Sequence, residues 1–334
     1  AASDVYKRQV YTHTNETDWS EPASWSMGLL NEADWQGQWI GLDRPAPGDS
    51  ETQWSRLAAR YLRKEFALTK EVKRATVHIA GMGLYELFIN GQRIGEQVLA
   101  PAPTDYRKTI LYNTYDVTPQ LQKENAIGVI LGNGRFYTMR QNYKPYKIPT
   151  FGYPKLRLNL IVEYTDGSRQ TIASDISWKL TTEGPIRSNN EYDGEEYDAR
   201  KELGDWNRTG YDDTNWIPAG RVSIPSGTLR AQMMPGMKVT ESLKPVSIRK
   251  QGDKQILDIG QNMAGWLRIR IKGQAGDSIR LRFAERLQPD GEIFTKNLRD
   301  AHCTDIYVVS GREPQDATWA PRFVSVSYTH LRAH

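Results

Sequence analysis

The sequence predicts an all-β protein, and three observations support this prediction. Short segments throughout the chain alternate polar with apolar residues, or are continuously apolar, over roughly four to eight positions. Gly, Asp, Asn and Pro lie between these segments, where tight turns favour them. No segment of about 12 or more residues has the apolar periodicity of a helix. Many short strands separated by turns are typical of β-sandwiches and barrels.

Eight segments have the strand pattern most clearly. In chain order they are residues 74–81, 85–91, 125–132, 155–164, 169–174, 265–273, 278–285 and 304–311. The clearest turn is Asp166-Gly167, which we expect to join strands 158–164 and 169–173 as a hairpin.

Turn-rich boundaries divide the chain into three blocks. Residues 10–41 are interpreted as the last strand of a preceding fibronectin III-like domain with a connector, residues 42–235 as a jelly-roll domain, and residues 236–324 as a second antiparallel β-sandwich domain. Trp206 and Trp216 flank an Asp-rich turn, and we expect them to close the core of the jelly roll. Residues 1–9 and 325–334 fit neither domain and are expected to be non-native sequence.

Composition argues against several classes of function. The formal net charge is +4, and no run of five or six basic residues suggests a nucleic-acid partner. No apolar run approaches the roughly 18 residues of a membrane span. The single cysteine, Cys303, is expected to be a small buried residue, and neither CxxC nor HExxH spacing offers a zinc site. The ten Trp and 17 Tyr residues suit a sandwich core and also sugar stacking.

A series of motifs resembles one family. Four segments resemble the N-terminal domain of bacterial α-L-rhamnosidases of glycoside hydrolase family 78: residues 103–106, 112–118, 125–134 and 192–200. Five more resemble the next domain of that family and follow in its order: residues 258–266, 284–287, 290–293, 298–301 and 304–305. We expect Asp258, Gln261 and Asn262 to fix a tight hairpin there. The resemblance covers about residues 18–323.

The resemblance implies a parent enzyme that removes terminal α-L-rhamnose with inversion. Such an enzyme needs an acid and a base carboxyl roughly 6.5–9.5 Å apart. In this family those groups lie in a later (α/α)6 barrel, so we assign no catalytic residue here. The chain is then expected to be an accessory part of the enzyme, with a rhamnose-containing carbohydrate and the barrel of the same polypeptide as partners. A stand-alone rhamnose-binding module and a purely structural scaffold are the alternatives.

The first candidate sugar site is a glycine-containing loop. Asn133 and Arg135 offer hydrogen bonds to sugar hydroxyls, and Phe136 or Tyr137 offers a stacking face. The family usually has an aromatic residue where this chain has Arg135, which weakens that expectation. The alternative is a turn packed against Tyr143 and Tyr146.

Asp105 and Tyr106 are also candidate sugar-binding residues, since loops on rigid sandwiches often carry binding groups. An Asx-turn at Asp105 is the alternative explanation.

The second candidate region is acidic. Its carboxylates are Glu191, Asp193, Glu195, Glu196 and Asp198. They fit three hypotheses: salt bridges with a residue such as Arg200, contacts to sugar or calcium, and catalysis. We retain Asp193, Glu195 and Asp198 as candidate sugar contacts. Asp193 and Glu195 are also weak calcium candidates, although the spacing does not match an EF-hand loop. No other cofactor is expected.

Overall fold

The structure is a computed structural model that describes residues 3–6, 19–49, 57–137, 151–298 and 301–333, with side chains omitted at 3–6, 24–26 and 326–333. Strands and turns dominate these ranges. Their only helical segments are four short 3-10 turns: Glu32–Asp34, Thr118–Gln120, Ala199–Lys201 and Lys296–Leu298. The predicted all-β fold class is confirmed. No helix within these ranges is long and apolar enough to cross a membrane.

The strands fall in two groups along the chain. The first group is β1 Ser3–Tyr6, β2 Ala23–Ser26, β3 Ile40–Gly41, β4 Arg60–Ala67, β5 Val72–Met82, β6 Leu84–Ile89, β7 Gln92–Arg93, β8 Thr109–Asp116, β9 Glu124–Gly132, β10 Lys155–Tyr164, β11 Arg169–Ala173, β12 Lys179–Thr181, β13 Ile186–Asn190, β14 Gly194–Asp198, β15 Ile217–Pro218, β16 Gly220–Arg221 and β17 Thr228–Ala231. The second group is β18 Ser247–Gln251, β19 Lys254–Gly265, β20 Ile269–Arg270, β21 Ser278–Ala284, β22 Arg286–Leu287, β23 Ile293–Phe294, β24 Thr304–Val308, β25 Thr318–Trp319 and β26 Val326–Ala333.

Two sheets form a sandwich in the first part of the chain. The front sheet has the order β16-β3-β10-β5-β8-β17, with β11 also paired to β10. The back sheet has the order β15-β12-β4-β9-β6-β7. Alternate residues of each sheet point into one shared core, in which Ile79 and Leu158 of the front sheet join Leu62 and Val129 of the back sheet. All four are fully buried, so this alternation is what fixes the register of the sandwich.

A third, C-terminal sheet covers the other face of the back sheet. Its order is β13-β14-β24-β21-β26-β19-β18. Tyr61 and Ile130 of the back sheet pack in one cluster with Phe283 and Phe323 from the last part of the chain. The back sheet is therefore the middle of three layers and is buried on both faces. This explains why β9 is almost continuously apolar, with eight of its nine residues buried.

The hairpin β13–β14 belongs to this C-terminal sheet although its residues lie far earlier in the chain. Strand β14 pairs in parallel with β24, with Glu196 opposite Ile306. Residues of the second predicted block therefore extend the sheet of the third block. The residue limits given to the blocks, and the origin assigned to the two chain ends, stay predictions.

The prediction of a tight hairpin at residues 258–262 is wrong. These residues lie inside the long strand β19, where pairing with β26 is interrupted between Asp258 and Met263. The Asp258 carboxylate accepts the backbone N–H of Gly260 at 2.8 Å, and Gly260 has a φ of +82°. Extra residues are thus accommodated as a bulge, which a local sequence pattern does not distinguish from a turn.

Trp206 and Trp216 are not part of the sandwich core that the sequence predicted them to close. They belong to the cluster on the other face of the back sheet, between that sheet and the C-terminal sheet. Their rings stack with centroids 6.1 Å apart, and both side chains are buried. Trp206 also meets Tyr61 and Phe88 edge-on.

Candidate functional site

Asn133 holds its loop to the hairpin rather than presenting an amide to solvent. Its side-chain Nδ2 donates to the backbone carbonyl of Asn189 at 2.7 Å and to that of Leu57 at 3.3 Å. Its backbone N–H donates to Asn189 Oδ1 at 2.7 Å. Because Asn133 is only 1% exposed, these buried bonds fix the loop against β13.

The aromatic candidates of this region are interior residues. Phe136 is completely buried and meets Tyr106 edge-on, with ring centroids 5.0 Å apart. Phe136 also stacks on Phe151, and Tyr137 stacks on Tyr153 at 5.3 Å. These rings therefore pack on one another in the interior. Tyr143 and Tyr146, the partners of the alternative interpretation, lie outside the described residues.

Arg135 is the member of the loop that reaches the surface. Its Nε lies 2.9 Å from Glu191 Oε2, and just over half of its side chain is exposed. The hydrogen bond that Arg135 donates to Glu191 is the main cause that raises the pKa of the Arg135 guanidinium. The pair bridges the loop and the β13–β14 hairpin at the protein surface.

Asp105 and Asp198 have local partners. Asp105 Oδ1 accepts the backbone N–H of Arg107 at 3.2 Å and its Nε at 3.0 Å, which is an Asx-turn reinforced by an ion pair. Asp198 accepts two guanidinium hydrogen bonds from Arg200, both at 2.8 Å. In each case the arginine lowers the pKa of the carboxyl. Both carboxylates are thus occupied by neighbours two positions along the chain.

The acidic segment is not one cluster, because Glu191 and Asp193 lie in the turn before β14, which begins at Gly194. Gly194 has a φ of +107°, and a Cβ there would lie 2.1 Å from the carbonyl oxygen of Thr304. Glu191 contacts Arg135, whereas Asp193 Oδ1 accepts the backbone N–H of His302 at 3.0 Å. The structure separates these carboxylates, which a regular strand would have placed on one face.

Glu195 is the most unusual of the predicted residues. It is 1% exposed, and its Oε2 accepts the backbone N–H groups of Arg322 at 3.0 Å and Phe323 at 3.1 Å. Its own backbone N–H donates to Oδ1 of Asp305, which is also 1% exposed, at 2.9 Å. Burial raises the pKa of Glu195 to about 8 and that of Asp305 to about 7, and the charge of Asp305 adds to the shift of Glu195.

No group of three or more His, Cys, Asp or Glu side chains could hold a metal ion within the ranges that the structure describes. The calcium hypothesis for Asp193 and Glu195 therefore gains no support from this geometry and stays a hypothesis. The role of the nine candidate residues as sugar contacts likewise stays a prediction.

Sequence reasoning missed the residues that surround Glu195. Arg322 forms an ion pair with Glu86 of β6, and Asp305 lies beside Glu195 in the neighbouring strand. Asp305 falls in one of the segments that support the family resemblance, and Arg322 lies near the end of the range that the resemblance covers. Their contact with Glu195 could not be predicted, since 110 positions separate Glu195 from Asp305 and 127 separate it from Arg322.

Comparison with known proteins places the two halves of the chain. Residues 70–241 match the α-L-rhamnosidase N-terminal domain, and residues 248–333 match the bacterial α-L-rhamnosidase concanavalin-like domain. The chain belongs to the bacterial α-L-rhamnosidase family. The resemblance inferred from the motifs is thereby confirmed.

Curated α-L-rhamnosidases are similar along almost the whole chain. One from Formosa agariphila is 36% identical over 348 aligned residues, which cover 97% of this chain and 36% of the relative. One from Streptomyces avermitilis is 38% identical over 336 residues, which cover 96% of this chain and 30% of the relative. The chain thus spans about a third of the length of the curated α-L-rhamnosidases it matches.

Solved α-L-rhamnosidase structures share the fold. The enzyme from Dictyoglomus thermophilum is 35% identical with a TM-score of 0.85, covering 99% of this chain and 37% of that one. The enzyme from Aspergillus terreus is 33% identical with a TM-score of 0.89, and the match covers 99% of this chain and 38% of that one. The Streptomyces avermitilis enzyme, solved in complex with L-rhamnose, is 32% identical with a TM-score of 0.78. The match covers 97% of this chain and 33% of that one.

Proposed function

We propose that this chain is the accessory portion of an α-L-rhamnosidase that removes terminal α-L-rhamnose with inversion. In this proposal the chain scaffolds the enzyme and contributes to substrate recognition, and another part of the polypeptide performs the hydrolysis. The family match supports the α-L-rhamnosidase part of the proposal, and the burial of Glu195 and Asp305 is the observation that carries the non-catalytic part. These carboxyls have raised pKa values that would suit acid–base chemistry, yet each is only 1% exposed.

An inverting glycosidase requires two carboxyls that reach the glycosidic bond and leave room, roughly 6.5–9.5 Å, for a water molecule. Glu195 is covered by the backbone of Arg322 and Phe323, which already donate to its Oε2. Asp105 and Asp198 are occupied by arginine partners. Glu195 is thus inaccessible, and Asp105 and Asp198 are held in ion pairs, which supports a non-catalytic role.

The scaffold role is supported by how firmly the two matched regions are joined. The β13–β14 hairpin of the first region forms part of the sheet of the second. Phe323 packs in the cluster that covers the back sheet. Because the two regions share a sheet and a core, they form a base on which a further domain can be held in a fixed orientation.

The proposal is tested by assaying the chain on 4-nitrophenyl α-L-rhamnopyranoside beside a longer polypeptide that carries the following domain. We expect turnover from the longer protein and none above buffer from this chain. Turnover by this chain alone would contradict a non-catalytic role. Loss of that turnover in the double variant Glu195→Gln and Asp305→Asn would assign it to this pair, and its survival would point to other carboxylates.

Calorimetry with L-rhamnose, with and without calcium, then tests recognition by the chain itself. Saturable binding to the isolated chain that Arg135→Ala weakens would place a recognition site at the Arg135–Glu191 pair. Saturable binding together with no activity in the longer polypeptide would replace our proposal with a stand-alone rhamnose-binding module.

A further inference from the structure

Glu195 and Asp305 form a carboxyl pair at the junction between the hairpin and the C-terminal sheet. They lie in the neighbouring parallel strands β14 and β24, whose pairing covers three positions from Glu196 to Asp198. Each carboxyl uses one oxygen in backbone hydrogen bonds. The other oxygens, Glu195 Oε1 and Asp305 Oδ2, are buried and no donor in the described structure reaches them.

Few charges are available to balance this pair. Tyr61 and Arg322 lie near Glu195, and Cys303 lies near Asp305 with Arg282 beyond it. Arg322 is already shared, because its guanidinium forms an ion pair with Glu86, which Arg93 contacts as well. Among the described residues, no cation donates to the two orphaned oxygens. Two fully ionised carboxylates side by side in this interior would therefore be costly.

We propose that a proton retained by the Glu195–Asp305 carboxyl pair latches the hairpin onto the C-terminal sheet, and that release of this proton to solvent loosens the junction. A neutral carboxyl can be buried at far lower cost than a carboxylate. Its O–H also supplies a donor that the two orphaned oxygens lack. Once the proton is gone, adjacent like charges oppose a strand pairing of only three residues.

The direction of the pH dependence follows from the raised pKa values. The folded chain still holds a proton on this pair at pH values where both carboxyls have lost theirs in the unfolded chain. The stabilisation is therefore complete below the ordinary carboxyl range and is lost as the pH rises through about 7 to 8.

Thermal unfolding of the 334-residue chain from pH 5 to pH 9 tests the proposal. Glu195→Gln and Asp305→Asn keep the acceptor oxygens and imitate the protonated acids. We expect Tm to fall by several degrees more across this range in the unsubstituted chain than in the double variant. Glu196→Gln is the matched control, since this neighbour lies on the same strand and is half-buried, and it should behave as the unsubstituted chain. Equal pH profiles for the unsubstituted chain and the double variant would overturn the proposal.

Two local measurements distinguish loosening of this junction from an effect of pH on the stability of the whole protein. Amide hydrogen exchange, corrected for the intrinsic rate, should show the Arg322 and Phe323 N–H groups losing protection about tenfold above pH 8, while β5 and β10 keep theirs. Carboxyl ¹³C titration of the unsubstituted chain should show two transitions near neutral pH. If the variants do not fold, this titration decides: midpoints at ordinary carboxyl values for both residues would overturn the proposal.

Discussion

Phe323 lies directly against the backbone of Gly132. A Cβ atom built on Gly132 would lie 2.4 Å from Cγ of the Phe323 ring. Gly132 ends β9 in the back sheet, whereas Phe323 comes almost 200 positions later. The contact therefore joins the middle layer of the protein to the last part of the chain, and it leaves no space for a side chain.

Gly132→Ala is expected to destabilise the protein by about 2 kcal/mol, because a well-packed interior accommodates an added methyl only by moving the ring or the strand. Urea unfolding measures this loss. Gly220→Ala is the control, since its Cβ would come no closer than 3.4 Å to the nearest atom, the Gly41 carbonyl oxygen. Equal stabilities for the two variants would show that the Gly132–Phe323 contact does not constrain the fold.

The substitutions Asn133→Ala and Arg135→Ala lie two positions apart but should lower the free energy of unfolding by very different amounts. Asn133 is buried and its amide satisfies carbonyl groups of Leu57 and Asn189, so its removal is expected to cost about 2 kcal/mol. Arg135 is half-exposed in a surface ion pair, and its removal should change the free energy of unfolding by less than about 1 kcal/mol. Chemical denaturation of both variants checks this. A larger loss for Arg135→Ala would mean that the surface pair with Glu191 holds the hairpin in place.

His78 should weaken the protein in acid. Burial, aided by the charge of Arg74, lowers its pKa to about 4, and its Nδ1 lies 2.9 Å from Thr114 Oγ1. A depressed pKa means that the unfolded chain binds the proton first, so stability is present above about pH 6.5 and falls by about 2–3 kcal/mol as the pH drops towards 4. His78→Asn should remove most of this slope in urea unfolding at pH 7 and pH 5. An equal loss of stability between pH 7 and pH 5 in the unsubstituted chain and in His78→Asn would contradict this role of His78.

Cys303 should react with thiol reagents only after unfolding. Its side chain is buried, and burial raises the pKa of the thiol to about 12, so little reactive thiolate forms near neutral pH. We expect Ellman's reagent to label the native chain at least about tenfold more slowly than the chain in denaturant. Immediate labelling of the native chain would show that the segment around Cys303 opens readily.

Local signals predicted most of the sandwich correctly. The expected turn at Asp166-Gly167 joins β10 to β11, with Glu163 opposite Arg169. The alternation in 155–164 corresponds to the whole of β10. These features were predictable because a tight turn and the two strands beside it are encoded within about 20 consecutive residues.

What the sequence could not reveal is long-range pairing. The acidic run from Glu191 to Asp198 gives no sign that Glu195 enters a core closed by Phe323, or that β14 adds to β24. Phe136 and Tyr106 illustrate the same difficulty, since a ring that packs inside and a ring that stacks on sugar have the same local sequence. The partners of such residues are fixed by tertiary packing, which a single sequence does not display.

The parallel pairing of β14 with β24 also sets the order in which the chain can fold. Strand β14 leaves the ribosome about 110 residues before the partner that covers its free edge. At roughly 5–20 residues per second, that edge waits about 5–20 s during synthesis. An unpaired, partly apolar edge is a template for pairing with other chains. This edge of the hairpin therefore stays uncovered until the second half of the chain has been synthesised.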